Sequence, residues 1–208
     1  MGKYDWITNI DTYLYIVERI NEHFNNMRRA SEHEVIEEEA FYLCTEILRM
    51  VPFEPKNGLQ LRKKDGLCRL REPIDFIMND LNSILQKYAQ IFEKIKKIRN
   101  KYEHEPHNVS SAFSTCSGAY AGIGLYCRND LISINTMEFT FIIYDLNLLM
   151  NKIQQLIYKT EEKNIDELDI LTKERIQIIK KRKNIEYNKT YVRIPRLIEH
   201  EQIDWEVI

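Results

Sequence analysis

No run of about 18 apolar residues occurs in this chain, which excludes an ordinary membrane-spanning helix. Its opening residues, Met1 to Trp6, lack the apolar stretch and small-residue cleavage site of a secretory signal. A cytoplasmic protein without a membrane partner is therefore expected. Net charge is also scarce: the formal value of −2 over 208 residues confines any nucleic-acid contact to a local basic patch. The four cysteines, Cys44, Cys68, Cys116 and Cys127, are scattered without close pairing, so they read as free buried thiols rather than a zinc knuckle or a redox pair. No glycine-rich phosphate loop, nucleophile elbow or zinc signature is present. Neither a cofactor nor a metal is expected.

What is present is helical periodicity. With 44% apolar residues the chain can bury one good core, which fits one domain with an appendage. Ile10, Tyr13, Leu14, Val17, Ile20 and Phe24 recur at threes and fours, predicting an amphipathic helix within residues 5 to 27. A second helix is predicted to open at Ser31, with Glu34 completing a capping box, and to end before Pro52. Residues 56 to 71 carry the turn signals Asn57-Gly58 and Asp65-Gly66 and read as a basic loop with short extended pieces. Then comes the strongest pattern. Ile74, Leu81, Tyr88, Ile95 and Tyr102 recur every seven residues, with Ile77, Ile84, Ile91 and Ile98 between them, predicting one long helix in a bundle. Residues 108 to 122, rich in Ser, Ala, Thr and Gly, read as a flexible connection, followed by a β-hairpin at about 124–134 turning at Asn129-Asp130. A fourth long helix is expected over 138–163, a shorter one over 165–182, and an extended run in the tail. The fold class is thus all-α: a helical bundle over residues 1–165 with a small β-hairpin insertion, and a C-terminal extension over 166–208 that packs on the bundle or on a partner.

The chemistry concentrates where the heptad helix runs out, at Arg99-Asn100-Lys101-Tyr102-Glu103-His104-Glu105-Pro106-His107. Pro106 stops the helix and leaves the cluster in its last turn. Imidazole titrates near neutral pH, so His104 can take a proton from a ribose 2′-hydroxyl or give one to a 5′-oxygen leaving group. Arg99 presents a planar, permanently charged fork to phosphate oxygens, and Asn100 can orient the imidazole or bind phosphate. Such a site cuts RNA without metal and leaves a cyclic phosphate. At about 100° per residue Asn100 and His104 project within roughly 40° of each other, whereas Arg99 lies about 140° from His104. Either the arginine curls round the helix end, or a second copy of the helix completes the site across a two-fold axis. Spacing alone is weak support, since Arg28 and His33 stand equally far apart.

Arg99-Asn-Lys-Tyr-Glu-His104 resembles the motif of the HEPN superfamily, in which an arginine and a polar residue precede a histidine by a few positions. The resemblance implies a four- to five-helix bundle over residues 1–165, and a dimeric, metal-independent endoribonuclease of toxin–antitoxin, abortive-infection or antiviral-defence type. It carries over Arg99, Asn100 and His104 as the catalytic residues, with RNA as substrate and an antitoxin or another defence protein as a possible partner. His107, Glu103 and Tyr102 stand as candidate supports, although His107 can equally satisfy last-turn carbonyls and Tyr102 continues the core seam. Lys97 and Lys101 are candidate RNA contacts. The alternative is a non-catalytic HEPN-like module that binds RNA, a nucleotide or a partner protein, and the acidic net charge speaks for it.

Overall fold

A computed structural model describes residues 3–30, 32–55, 58–104, 109–116, 120–127, 130–186, 193–197 and 203–207. Six α-helices dominate them: α1 Asp5–Arg29, α2 His33–Met50, α3 Ile77–Lys87, α4 Ala89–His104, α5 Thr136–Asn164 and α6 Ile170–Glu186. The mostly helical fold matches the all-α expectation. Seven short strands join them: β1 Phe53–Pro55, β2 Leu59–Leu61, β3 Val109–Cys116, β4 Tyr120–Cys127, β5 Asp130–Asn135, β6 Arg193–Leu197 and β7 Ile203–Val207. No helix among the described residues is long and apolar enough to cross a membrane.

The chain divides into two compact units, and the division falls within α1 and α5. One comprises Met1–Leu14 with Ile143–Ile208. Its core takes Ile7 and Ile10 from α1, Leu146, Met150, Ile153 and Ile157 from α5, and Ile176 and Ile179 from α6, at the threes and fours of buried helix faces. Asp169 caps α6 by accepting the Thr172 amide at 2.7 Å. Arg175 of α6 donates to Asp11 of α1 at 2.7 Å. β6 and β7 pair antiparallel from Arg193↔Val207 to Leu197↔Ile203.

The other unit, Tyr15–Ile142, holds the Arg/His segment. Phe24 and Met27 of α1, Leu43 and Ile47 of α2, Leu81 and Leu85 of α3, and Phe92, Ile95 and Ile98 of α4 are all buried. α2 packs along α4, and the Phe53 ring meets Phe92 edge-on at 5.7 Å. α2 begins at His33 with Glu32 as its N-cap and no side-chain cap bond. The capping box expected at Ser31 lies outside the described residues.

Two predicted elements differ from the structure. The single heptad helix is two helices broken at Tyr88, whose backbone leaves the helical region at φ −116°, ψ 28°. The hydrogen-bond ladder still bridges the break, because the Tyr88 amide donates to Ile84 at 3.1 Å and the Phe92 amide to Tyr88 at 2.9 Å. The face turns, so that Phe92 is buried and Ile91 only half-buried. No proline or glycine marks the spot, which is why a continuous helix fits the pattern. The second difference is in the connection expected over 108–122. β3 pairs with β4 along its whole length, from Val109↔Cys127 to Cys116↔Tyr120, and β4 with β5 from Cys127↔Asp130 to Gly122↔Asn135. The predicted hairpin is the second half of a three-stranded antiparallel sheet. Three serines and an alanine fill half of β3, and its pairing along β4 overrides that composition.

The β1–β2 hairpin and the 3₁₀ turn Gly66–Leu70 stand where a basic loop is expected. Gly66 has φ +49°, and a β-carbon there would lie 2.6 Å from the Arg49 carbonyl oxygen and 2.7 Å from that of Met50. At Gly58, φ +99°, nothing stands within 4 Å of that position. Gly66→Ala is therefore expected to destabilise the protein by about 2–4 kcal/mol, through both strain and overlap, and Gly58→Ala by about 1–2 kcal/mol through strain alone. Chemical unfolding of both variants checks the order, and equal losses would contradict the steric account.

Candidate functional site

α4 delivers its last turn to the surface with one side anchored. Ile95 and Ile98 are fully buried, and the Tyr102 ring lies 5.4 Å from Phe41 of α2. The Tyr102 hydroxyl donates to Glu37 Oε2 at 3.0 Å. Burial first, and the Glu37 carboxylate second, push the phenol well above its ordinary value, so it remains a donor. Tyr102 is thus occupied by packing and hydrogen bonding, the structural side of the two roles its position allowed.

On the outer side of the turn the Arg99 guanidinium forks onto Glu103. Nη2 donates to Oε1 at 3.0 Å and Nη1 approaches Oε2 at 2.5 Å. Nη1 also donates to the Asn100 side-chain oxygen at 3.2 Å. Asn100 therefore turns its carbonyl to the arginine rather than to the imidazole. His104 Nε2 stands 3.6 Å from the same Glu103 Oε2, beyond hydrogen-bond length, and its side chain is 70% exposed. Because Arg99 and His104 approach one oxygen, the two distances cap the separation of Arg99 Nη1 from His104 Nε2 at 6.1 Å. Both groups converge on the Glu103 carboxylate, so one chain by itself brings them within that distance despite their 140° angular offset. Exposed pairs of this kind contribute only about 0.3–0.5 kcal/mol to stability. The arrangement constrains the guanidinium far more than it stabilises the fold.

Glu103 is the residue whose part sequence reading understates. A surface carboxylate beside a histidine usually does little, but its i,i+4 position to Arg99 gives it both guanidinium donors. Lys97 is exposed and Lys101 half-exposed on the same helix. His107 lies outside the described residues. Among those residues no group of three or more His, Cys, Asp or Glu side chains has the geometry of a metal site. Cys44 and Cys68 are free buried thiols, as expected, and burial raises the Cys68 thiol to about 11. Of Cys116 and Cys127 only the backbone belongs to the described structure.

A second histidine cluster joins residues that lie sixteen positions apart in the sequence. Arg19 and His23 stand four apart, one position closer than Arg99 and His104, yet His23 is buried and its Nδ1 lies 2.6 Å from Glu39 of α2, which also accepts from Asn26 at 3.1 Å. The His23 ring stacks on Tyr42 at 5.3 Å. His23 Nε2 is enclosed and has no hydrogen-bond partner. A closed interhelical clamp of this kind ties α1 to α2 and offers no open face to a substrate. It sets the Arg19/His23 spacing apart from Arg99/His104: one histidine is locked in the core, the other faces solvent.

Comparison with protein-family models, with curated proteins and with solved structures found no match.

Tyr102→Phe removes the bond to Glu37 and is expected to cost about 1 kcal/mol. The Tyr102 phenol titrates higher in the folded chain than its unfolded value of about 10, so its contribution is complete below pH 10 and declines as pH rises further. Cys68, raised from 9.0 to about 11, adds a loss that begins near pH 9. Thermal unfolding from pH 8 to 11 should show falling stability, less steeply above pH 10 in Tyr102→Phe. An unchanged alkaline slope in that variant contradicts the anchoring role.

Proposed function

We propose that this protein is a metal-independent endoribonuclease of HEPN type, acting as a toxin or antiviral-defence effector, with Arg99, Asn100 and His104 as its catalytic residues. The observation that carries the reading is the exposed imidazole within 6.1 Å of a forked arginine on one solvent-facing helix end. In the resting chain Glu103 occupies the guanidinium. On binding, the scissile phosphate takes the place of that carboxylate, since guanidinium binds phosphate and carboxylate oxygens in the same bidentate way. The ribose 2′-oxygen then attacks phosphorus, the bond to the 5′-oxygen breaks, and a 2′,3′-cyclic phosphate forms. Arg99 and Asn100 hold the phosphoryl oxygens as charge builds on them.

The step needs a base for the 2′-hydroxyl proton and an acid for the 5′-oxygen. One neutral and one protonated imidazole supply both if two copies of the α4 end meet across a two-fold axis, each giving His104. The 70% exposure of His104 leaves room for that meeting. Besides the acidic net charge, the Glu103 fork favours a non-catalytic RNA- or partner-binding module, because it offsets the charge a phosphate must find.

Purified protein is expected to degrade RNA in EDTA. Arg99→Ala and His104→Ala should each lower kcat by about a hundred-fold or more while the circular dichroism stays unchanged. Glu103→Gln should lower KM several-fold, because it frees the guanidinium. Cleavage that requires added metal, or full activity in both alanine variants, rejects the reading.

A further inference from the structure

We infer that the β1–β2 hairpin and the turn that follows it form a second RNA contact, an anchoring surface for the phosphate backbone of a single strand outside the Arg99/His104 cluster. The inference rests on the endoribonuclease reading for the identity of the polyanion and on local charge for the surface. Residues 58–72 hold five cations and two anions, a local charge of +3 in a chain whose total is −2. Like charges so close repel, and a free loop would let them spread.

Here the backbone forbids it. Arg69 Nε donates to the Lys64 carbonyl at 2.9 Å and Arg71 Nη1 to that of Lys63 at 2.5 Å. The Arg62 amide donates to Pro52 at 2.9 Å and the Asp65 amide to Arg62 at 3.0 Å. Gln86 of α3 reaches the Leu59 carbonyl at 3.3 Å, and the left-handed Gly66 seats the turn against the end of α2. Arg69 and Arg71 thus pin the carbonyls of the two exposed lysines. Among the described residues Lys63 and Lys64 make no ion pair, and Arg62 meets Asp65 only at 3.4 Å with both side chains near half exposure.

Arg62, Lys63 and Lys64 line a shallow groove of about 340 Å³ together with Glu54, Gln60, Leu61 and Asp65, so cations outnumber carboxylates there by three to two. That volume is at the small end of ligand sites and suits one nucleotide. The cations suit phosphates, while the Gln60 amide suits the donors and acceptors of a base edge. A membrane surface would call for exposed apolar side chains beside the cations, and Leu61, the apolar residue of the groove, is half-buried.

The test is fluorescence anisotropy of the full chain, in the His104→Ala background, with a labelled single-stranded RNA of mixed sequence. Lys63→Glu with Lys64→Glu is expected to weaken binding about ten-fold or more near 100 mM salt and to flatten the salt dependence by about 1.4 log units per decade, two phosphate contacts' worth. Lys63→Gln with Lys64→Gln should show a smaller loss, with the circular dichroism of both doubles unchanged. Unaltered affinity in both doubles overturns the inference. So does absence of RNA binding, or preference for phosphatidylserine vesicles over RNA. RNA binding that is lost in the charge-reversed double, beside a wild type that cleaves nothing, upholds the anchoring surface and removes the nuclease reading alone.

Discussion

The orientation of the last turn of α4 depends on Tyr102. Its ring against Phe41 and its hydroxyl on Glu37 fix that turn to α2 through one packed and one hydrogen-bonded contact. With Tyr102 directed inward, helical geometry leaves residues 99, 100, 103 and 104 on outer or flanking positions. Ile95 and Ile98 hold the preceding turn in the same sense. The candidate site is therefore a property of core packing: the seam that builds the unit also decides which polar groups face solvent.

Glu103 then sets the state of those groups. A guanidinium with both forks on a carboxylate is oriented and partly neutralised at once. Both effects bear on an RNA-cutting site, since orientation favours productive phosphate binding while neutralisation weakens capture of RNA from solution. The anchoring surface proposed on the basic turn of the same unit would address the second effect, because an anchored strand would raise the local concentration of its own phosphates at the helix end. The acidic balance of the whole chain and an RNA substrate are then compatible.

Much of the fold was legible. Threes and fours located α1, α2 and α5 to within a few residues, and the heptad seam located the site-bearing helix, because buried faces leave a periodic record. The break at Tyr88 left none, having neither proline nor glycine. β3 left little, as serines and an alanine make up half of its residues. At the site, Arg99 and His104 were legible as residue types at a helix end. Their closeness was not, because it follows from the rotamer by which Arg99 reaches Glu103. His23 with Glu39 escaped for a different reason: the partners are sixteen residues apart on two helices, and only packing brings them together.

The central claim is that the α4 end performs 2′-hydroxyl transesterification, and the product ends test it most directly. Mass spectrometry of a defined oligoribonucleotide cut by the purified protein should find a 2′,3′-cyclic phosphate on one fragment and a 5′-hydroxyl on the other, with a single 2′-deoxy substitution blocking cleavage at that position. Fragments ending in 3′-hydroxyl and 5′-phosphate, or cleavage that tolerates the 2′-deoxy sugar, would contradict it.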